Sequence, residues 1–110
     1  MGAEVDSRDN NSRTALMWSV KRNHSQCAQI LLDFKAFTDL QDTDGDSALH
    51  MACGLSHATL MRLLLDHGAS LTLRNKRKYA CLEIAAKVGS SYAAMAIVRH
   101  KRLVAIGNNT

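Results

Sequence analysis

Sliding the sequence along itself by 33 residues lays Asp9–Gln41 over Asp42–Arg74, and nine positions coincide. They are Asp9/Asp42, Ala15/Ala48, Leu16/Leu49, His24/His57, Leu31/Leu64, Leu32/Leu65, Asp33/Asp66, Ala36/Ala69 and Leu40/Leu73. The identities fall in blocks, as they do when one structural unit is repeated. A second slide brings in residues 75–107, where Leu82, Ala85, Ile97 and Val98 take the same apolar slots. Gly2-Ala3 and Arg8 match Gly68-Ala69 and Arg74 at twice the period, so residues 2–8 read as the tail of an earlier unit. The predicted organisation is one domain over residues 1–110, with units at 9–41, 42–74 and 75–107 and the third unit degenerate and terminal.

Each unit reads as helix, turn, helix and an extended arm. In the middle unit Ser47 is placed to cap a short first helix running to Leu55, and Ser56-His57 breaks it. A second helix is predicted from Ala58 to His67, with Leu60, Met61, Leu63, Leu64 and Leu65 making a broad apolar face. Gly68 stands where a helix C-terminus favours a left-handed residue. Neither helix can bury its apolar face alone, so neighbouring units must stack. Composition agrees: 46% of residues are hydrophobic but only 5% aromatic, which suits close-packed helices better than a β-sandwich or barrel.

The run Asp44-Gly45-Asp46-Ser47-Ala48-Leu49-His50-Met51-Ala52, followed by Leu63-Leu64-Leu65-Asp66-His67-Gly68-Ala69, resembles an ankyrin repeat, in register over nearly the whole chain. The resemblance implies an all-α solenoid of stacked helix-turn-helix units with projecting β-hairpin fingers. The family's Thr-Pro-Leu-His turn stands as Thr14-Ala15-Leu16-Met17, Ser47-Ala48-Leu49-His50 and Ala80-Cys81-Leu82-Glu83, so only the middle unit keeps both hydroxyl and imidazole. The turn glycine, Gly45, is replaced by Ser12 and Lys78. A left-handed backbone at Lys78 costs about 1 kcal/mol, and a distorted third finger is expected. Lys101-Arg102 replaces the Gly-Ala that ends the middle unit. The phrases Leu40–Asp46 and Leu73–Lys76 also resemble stretches in the ankyrin arrays of mind bomb ubiquitin ligases, which implies a substrate-handling scaffold whose catalytic domain lies outside this chain.

Several motifs suggest chemistry and are set aside on physical grounds. His24 and His57 lie one unit apart, and helices stack ~8–10 Å axis to axis, too far for one zinc ion. Their expected role, from the resemblance, is a structural hydrogen bond at the interhelical turn. Asp42-Thr43-Asp44-Gly45-Asp46 imitates a calcium loop, but its glycine is misplaced and Cys53 stands where the closing glutamate belongs. Cys27, Cys53 and Cys81 form no CxxC pair, and the resemblance puts all three in buried packing slots. Trp18 shares the slot of Met51 and Ile84, which predicts packing between units. Three Asn-X-Ser/Thr patterns, at Asn10, Asn23 and Asn108, matter only in a secreted chain, and the first residues lack the regions of a secretory leader. No run approaches the ~20 apolar residues that cross a bilayer. Catalytic residues, metals, cofactors and small-molecule substrates are therefore not expected, and localisation is expected to be cytoplasmic or nuclear.

What remains once the apolar slots are assigned is a candidate protein-binding face. The resemblance places it on the fingers and on the exposed side of each first helix. It comprises Asn10, Asn11, Arg13, Lys21 and Arg22 in the first unit; Thr43, Asp44, Asp46 and Leu55 in the second; and Lys76, Arg77, Tyr79, Lys87 and Val88 in the third, with Gln41 and Arg74 at the joints. Two basic edges flank an acidic centre, and Leu55, Tyr79 and Val88 are the apolar anchors. The run Arg74–Lys78 reads either as a solvated hairpin tip or, with a formal charge of +4, as a contact surface for another protein with an acidic segment. The alternatives for the chain are a structural spacer within a longer array and a basic nuclear-targeted or nucleic-acid-associated module. Without aromatics interleaved beyond Tyr79, the run is a poor nucleic-acid platform.

Overall fold

The computed structural model describes residues 5–108, and of Tyr92 and residues 103–108 the backbone alone. Gly2, Ala3, Asn109 and Thr110, on which parts of the sequence reading rest, lie outside the described residues. Among the described residues six helices follow one another: α1 Ala15–Lys21, α2 Ser25–Asp33, α3 Ala48–Leu55, α4 Ala58–Asp66, α5 Cys81–Val88 and α6 Ser91–Asn108. They pack as three consecutive pairs in two layers, an inner one of α1, α3 and α5 and an outer one of α2, α4 and α6.

The first helices start where the sequence supplies caps. Thr14 Oγ1 accepts the Met17 N–H at 3.3 Å, and Ser47 Oγ accepts the His50 N–H at 3.3 Å. Ala80 has no side-chain acceptor, yet Glu83 still reaches back to the Ala80 N–H at 3.0 Å, keeping half of the capping box. His50 does more than cap. Its Nδ1 accepts the Ser47 N–H at 3.1 Å, which leaves Nε2 to donate to the Tyr79 carbonyl of the next unit at 2.9 Å.

Burial follows the repeat. In α4, Leu60, Met61, Leu64 and Leu65 are buried one turn apart, while Arg62 and Asp66 face out. Each such side chain contributes about 1.5–3 kcal/mol of transfer free energy. The third unit departs from the expected pattern. Ala85 and Ile97 are buried, but Leu82 and Val98, in the slots of fully covered leucines, are 42% and 50% exposed. No further unit lies against them among the described residues. Helix α6 also runs on through Lys101-Arg102, whereas α4 stops at Asp66 and Gly68 beyond it takes φ +88°.

Left-handed residues recur at the repeat spacing whether or not glycine is present. Ser12, Gly45 and Lys78 have φ of 60°, 80° and 68°; Asn23, Ser56 and Gly89 have 57°, 58° and 71°; Lys35 and Gly68 have 68° and 88°. The third finger is therefore not distorted, contrary to the expectation from Lys78. It closes with the same two bonds as the second: Asn75 N–H to Tyr79 O at 3.1 Å and Lys78 N–H to Asn75 O at 2.8 Å, against Asp42 to Asp46 at 3.0 Å and Gly45 to Asp42 at 2.9 Å. The fingers are tight hairpin turns, and none extends into a β-ladder among the described residues.

Bonds between units repeat as well. Arg8 donates to the Gln41 carbonyl at 3.3 Å, and Gln41 in turn to the Arg74 carbonyl at 2.9 Å, each a step of 33 residues. Asp6 accepts the Phe37 N–H at 3.0 Å as Asp39 accepts the Ser70 N–H at 2.9 Å.

Candidate protein-binding surface

Each finger is built around one side-chain acceptor. Asp9 Oδ1 accepts the N–H groups of Asn11 and Arg13, both at 2.9 Å; Asp42 Oδ1 those of Asp44 and Asp46 at 2.9 and 3.0 Å; Asn75 Oδ1 those of Arg77 and Tyr79, both at 3.0 Å. This closure presents the intervening side chains outward. The fingers are tied in series by Thr43 N–H to Asn11 O at 3.1 Å and Lys76 N–H to Asp44 O at 3.0 Å. Side chains reinforce both joints with reversed polarity. Arg13 Nε donates to Asp42 Oδ2 at 3.3 Å, whereas Asn75 Nδ2 donates to Asp46 Oδ1 at 2.9 Å.

Behind the second and third fingers an open groove of about 520 Å³ runs along α3 and α5. It gathers eight of the sixteen residues named from the sequence: Lys21, Asp44, Asp46, Leu55, Arg77, Tyr79, Lys87 and Val88. His50, Met51, Gly54, Asn75 and Ile84 complete it. Leu55 and Val88 are 47% and 49% exposed, a large apolar share for a surface otherwise lined by charge. The other eight lie outside the groove. Asn10, Thr43 and Lys76 are exposed on the fingers. Asn11, Arg13, Gln41 and Arg74 take part in the bonds that hold the fold, and Arg22 lies on Trp18. Arg74 Nη1 reaches the Lys78 carbonyl at 2.7 Å and Glu83 Oε1 at 2.9 Å, an exposed pair that contributes little to stability. Of the five groove residues outside the sequence-based set, Asn75 was detectable as the counterpart of Asp9 and Asp42.

Cation–π stacks stand at both ends of the face. The Arg13 and Arg22 guanidinium carbons lie 5.4 and 5.5 Å from the centroid of the Trp18 ring. Trp18 is partly exposed, and its indole N–H donates to Asp9 Oδ2 at 2.9 Å, which corrects its assignment to packing between units. Hydrogen bonds from the Arg13 backbone first, then from the Trp18 indole, hold the Asp9 carboxyl below its ordinary value of 3.8. At the other end Lys87 Nζ sits 4.9 Å from the Tyr79 ring centroid and donates to its hydroxyl at 3.0 Å. Lys21, Asp44 and Arg77, in contrast, have no side-chain partner among the described residues.

Other expectations need correcting. His24 and His57 make their turn contacts through backbone N–H groups, to Ser19 O at 2.8 Å and Ala52 O at 3.0 Å, and neither imidazole caps a helix. Cys27 is exposed, because α2 turns that side to solvent, while Cys53 and Cys81 are buried. A hydrogen bond with Cys53, then burial, pushes the Cys81 thiol far above its ordinary range, so it stays protonated and unsuited to nucleophilic chemistry. Carboxylate oxygens of Asp42, Asp44 and Asp46 approach within 4.8 Å of one another. Those of Asp42 already bond to two amides and Arg13, and the cluster's consequence is a negative middle finger.

The family model described as "Ankyrin repeats (3 copies)" matches residues 1–75 and residues 35–105. The chain belongs to the ankyrin-repeat family, whose repeats mediate protein–protein interaction. Among curated relatives, the "Probable palmitoyltransferase AKR2" of Saccharomyces uvarum is 32% identical over 96% of this chain. The human "NF-kappa-B inhibitor epsilon" is 34% identical over 74% of it, and the mouse "Ankyrin repeat domain-containing protein 63" 29% over 87%. The chain spans only 14%, 18% and 26% of the lengths of these relatives, respectively. Among the described residues no helix is long and apolar enough to cross a membrane.

Proposed function

We propose that this chain is a non-catalytic protein-interaction module that holds a segment of a partner protein in the groove along its fingers and inner helices. The observation that carries the reading is the combination of unengaged charge and exposed apolar surface in one concavity: the side chains of Lys21, Asp44 and Arg77, without partners among the described residues, around Leu55 and Val88. Apolar anchors supply most of the affinity of such a site, while charges set orientation and association rate. Lys21 and Arg77 favour a segment with carboxylates at its ends. Units at 9–41, 42–74 and 75–107, with residues 2–8 as the tail of an earlier one, supply the scaffold. The palmitoyltransferase activity in the yeast relative's name belongs to a protein of which this chain spans 14%, and no part of it is assigned here. We place the module in the cytoplasm or nucleus, where reduced thiols such as the exposed Cys27 persist.

The test is capture from cytosolic and nuclear lysate by the native chain, beside a variant with Lys21, Asp44 and Arg77 all changed to Ala. These three are chosen because none holds the fold, so helicity by circular dichroism should be unchanged. Proteins retained by the native chain and lost from the variant are the expected result. Equal capture by both would mean that the partner is not held in this groove, and capture of nothing by either would mark the chain as a spacer within a longer array.

A further inference from the structure

The opposite side of the molecule carries a second concavity that shares no residue with the groove described above. It lies between the outer helices α4 and α6, encloses about 740 Å³, and is floored by Ala58, Leu65, Met95 and Ala96. Its rims are charged. Arg62 on α4 and Arg99 on α6 both line it, and neither guanidinium has a partner among the described residues. Arg62 lies one turn after Ala58, and Arg99 one turn after Met95, so each helix presents an apolar turn followed by a basic one. Arg102, exposed and three residues beyond Arg99, continues the basic edge of α6. Asp66 is the one carboxylate among the lining residues.

Met95 is 62% exposed, although it sits on a helix whose Ala93 and Ile97 are buried. A flexible thioether over a groove between two helices suits an apolar ridge of variable shape. Two parallel helix ridges with an apolar floor form the seat into which a third helix packs. Two free arginines against one carboxylate select the sign of that helix's flanks, since guanidinium groups take carboxylates bidentately.

We propose that the α4–α6 groove docks an acidic amphipathic helix of a partner protein, its apolar face on Leu65 and Met95 and its carboxylates on Arg62 and Arg99. The site works independently of the concave groove, so one chain can hold two segments on opposite faces.

The probe is a fluorescein-labelled 14-residue peptide made of two Leu-Glu-Glu-Leu-Leu-Glu-Glu blocks, with a scrambled peptide of equal composition as its control. Binding is read by fluorescence anisotropy on the native chain, on Arg62→Glu/Arg99→Glu, on Met95→Asp, and on the concave-face variant Lys21→Glu/Arg77→Glu. Circular dichroism verifies that each variant is folded. The expected result is binding of the amphipathic peptide by the native chain, weakened at least tenfold by Arg62→Glu/Arg99→Glu and by Met95→Asp. Lys21→Glu/Arg77→Glu should bind within twofold of native, and the scrambled peptide more weakly than the amphipathic one. The proposal is overturned by no binding, by equal binding to Arg62→Glu/Arg99→Glu, or by loss confined to the concave-face variant. It is also overturned if sedimentation shows the native chain self-associating through this face, because a second copy would then be the occupant.

Discussion

Backbone conformation at single residues is where this chain departs most from what its family pattern implies. Ser12, Asn23, Lys35, Ser56 and Lys78 all adopt left-handed φ without being glycine, and each donates its N–H to the carbonyl three residues back, which closes the turn. Gly45 is a different case. A Cβ there would lie 2.6 Å from the Lys76 backbone nitrogen and 3.0 Å from Asn75 Cα, at the bond that ties the second finger to the third. Gly45→Ala should therefore cost about 2 kcal/mol or more, and Lys78→Gly should add up to about 1 kcal/mol, measured by urea denaturation. A Lys78→Gly variant less stable than native would show that the turn is unstrained. Asp9 gives a second prediction at this scale. Its folded pKa is depressed, so its stabilising contribution is complete above 3.8 and is lost as pH falls through the lower, folded value. Trp18, the chain's single tryptophan, donates to that carboxylate and should report the loss as a fluorescence transition with a midpoint below 3.8, absent in Asp9→Asn. A midpoint at or above that value would contradict the contact.

Helices and fingers were largely legible before the structure, and the reasons are local. Ser47, the Leu60–Leu65 face and Gly68 each state one boundary or one face of α3 and α4, and the observed bounds agree to within a residue. Burial of equivalent positions was less legible, because it depends on what lies alongside. Leu49 and Leu82 occupy the same slot, yet Leu49 is wholly buried and Leu82 is 42% exposed. Leu49→Ala should cost 2–5 kcal/mol by cavity formation, and Leu82→Ala about 1 kcal/mol or less, in the same denaturation assay. Equal costs would mean that Leu82 is covered in solution. Trp18 was misplaced for a related reason. Its slot is a packing position in α3, but the acceptor at Asp9 and the flanking Arg13 and Arg22 hold the ring at the surface of the first unit.

At the scale of the whole molecule, a stack of three helix pairs measuring 38 × 33 × 21 Å offers two faces of unlike character. The inner one carries both signs of charge around Leu55 and Val88; the outer one is apolar with a basic rim. Which residues the stacking would bring together could be read from repeat position for Asp44, Leu55, Arg77, Lys87 and Val88. Which of them keep free polar ends could not, since that depends on bonds such as Asp46 with Asn75 and Lys87 with Tyr79, formed between residues of different elements. The central claim, that the inner groove is where a partner is held, is tested most directly by hydrogen exchange of the chain with and without a protein it captures. Protection is predicted at residues 43–46, 54–55, 76–79 and 87–88, with little change along α2. Protection confined to α2, α4 and α6, leaving those four stretches unchanged, would contradict it.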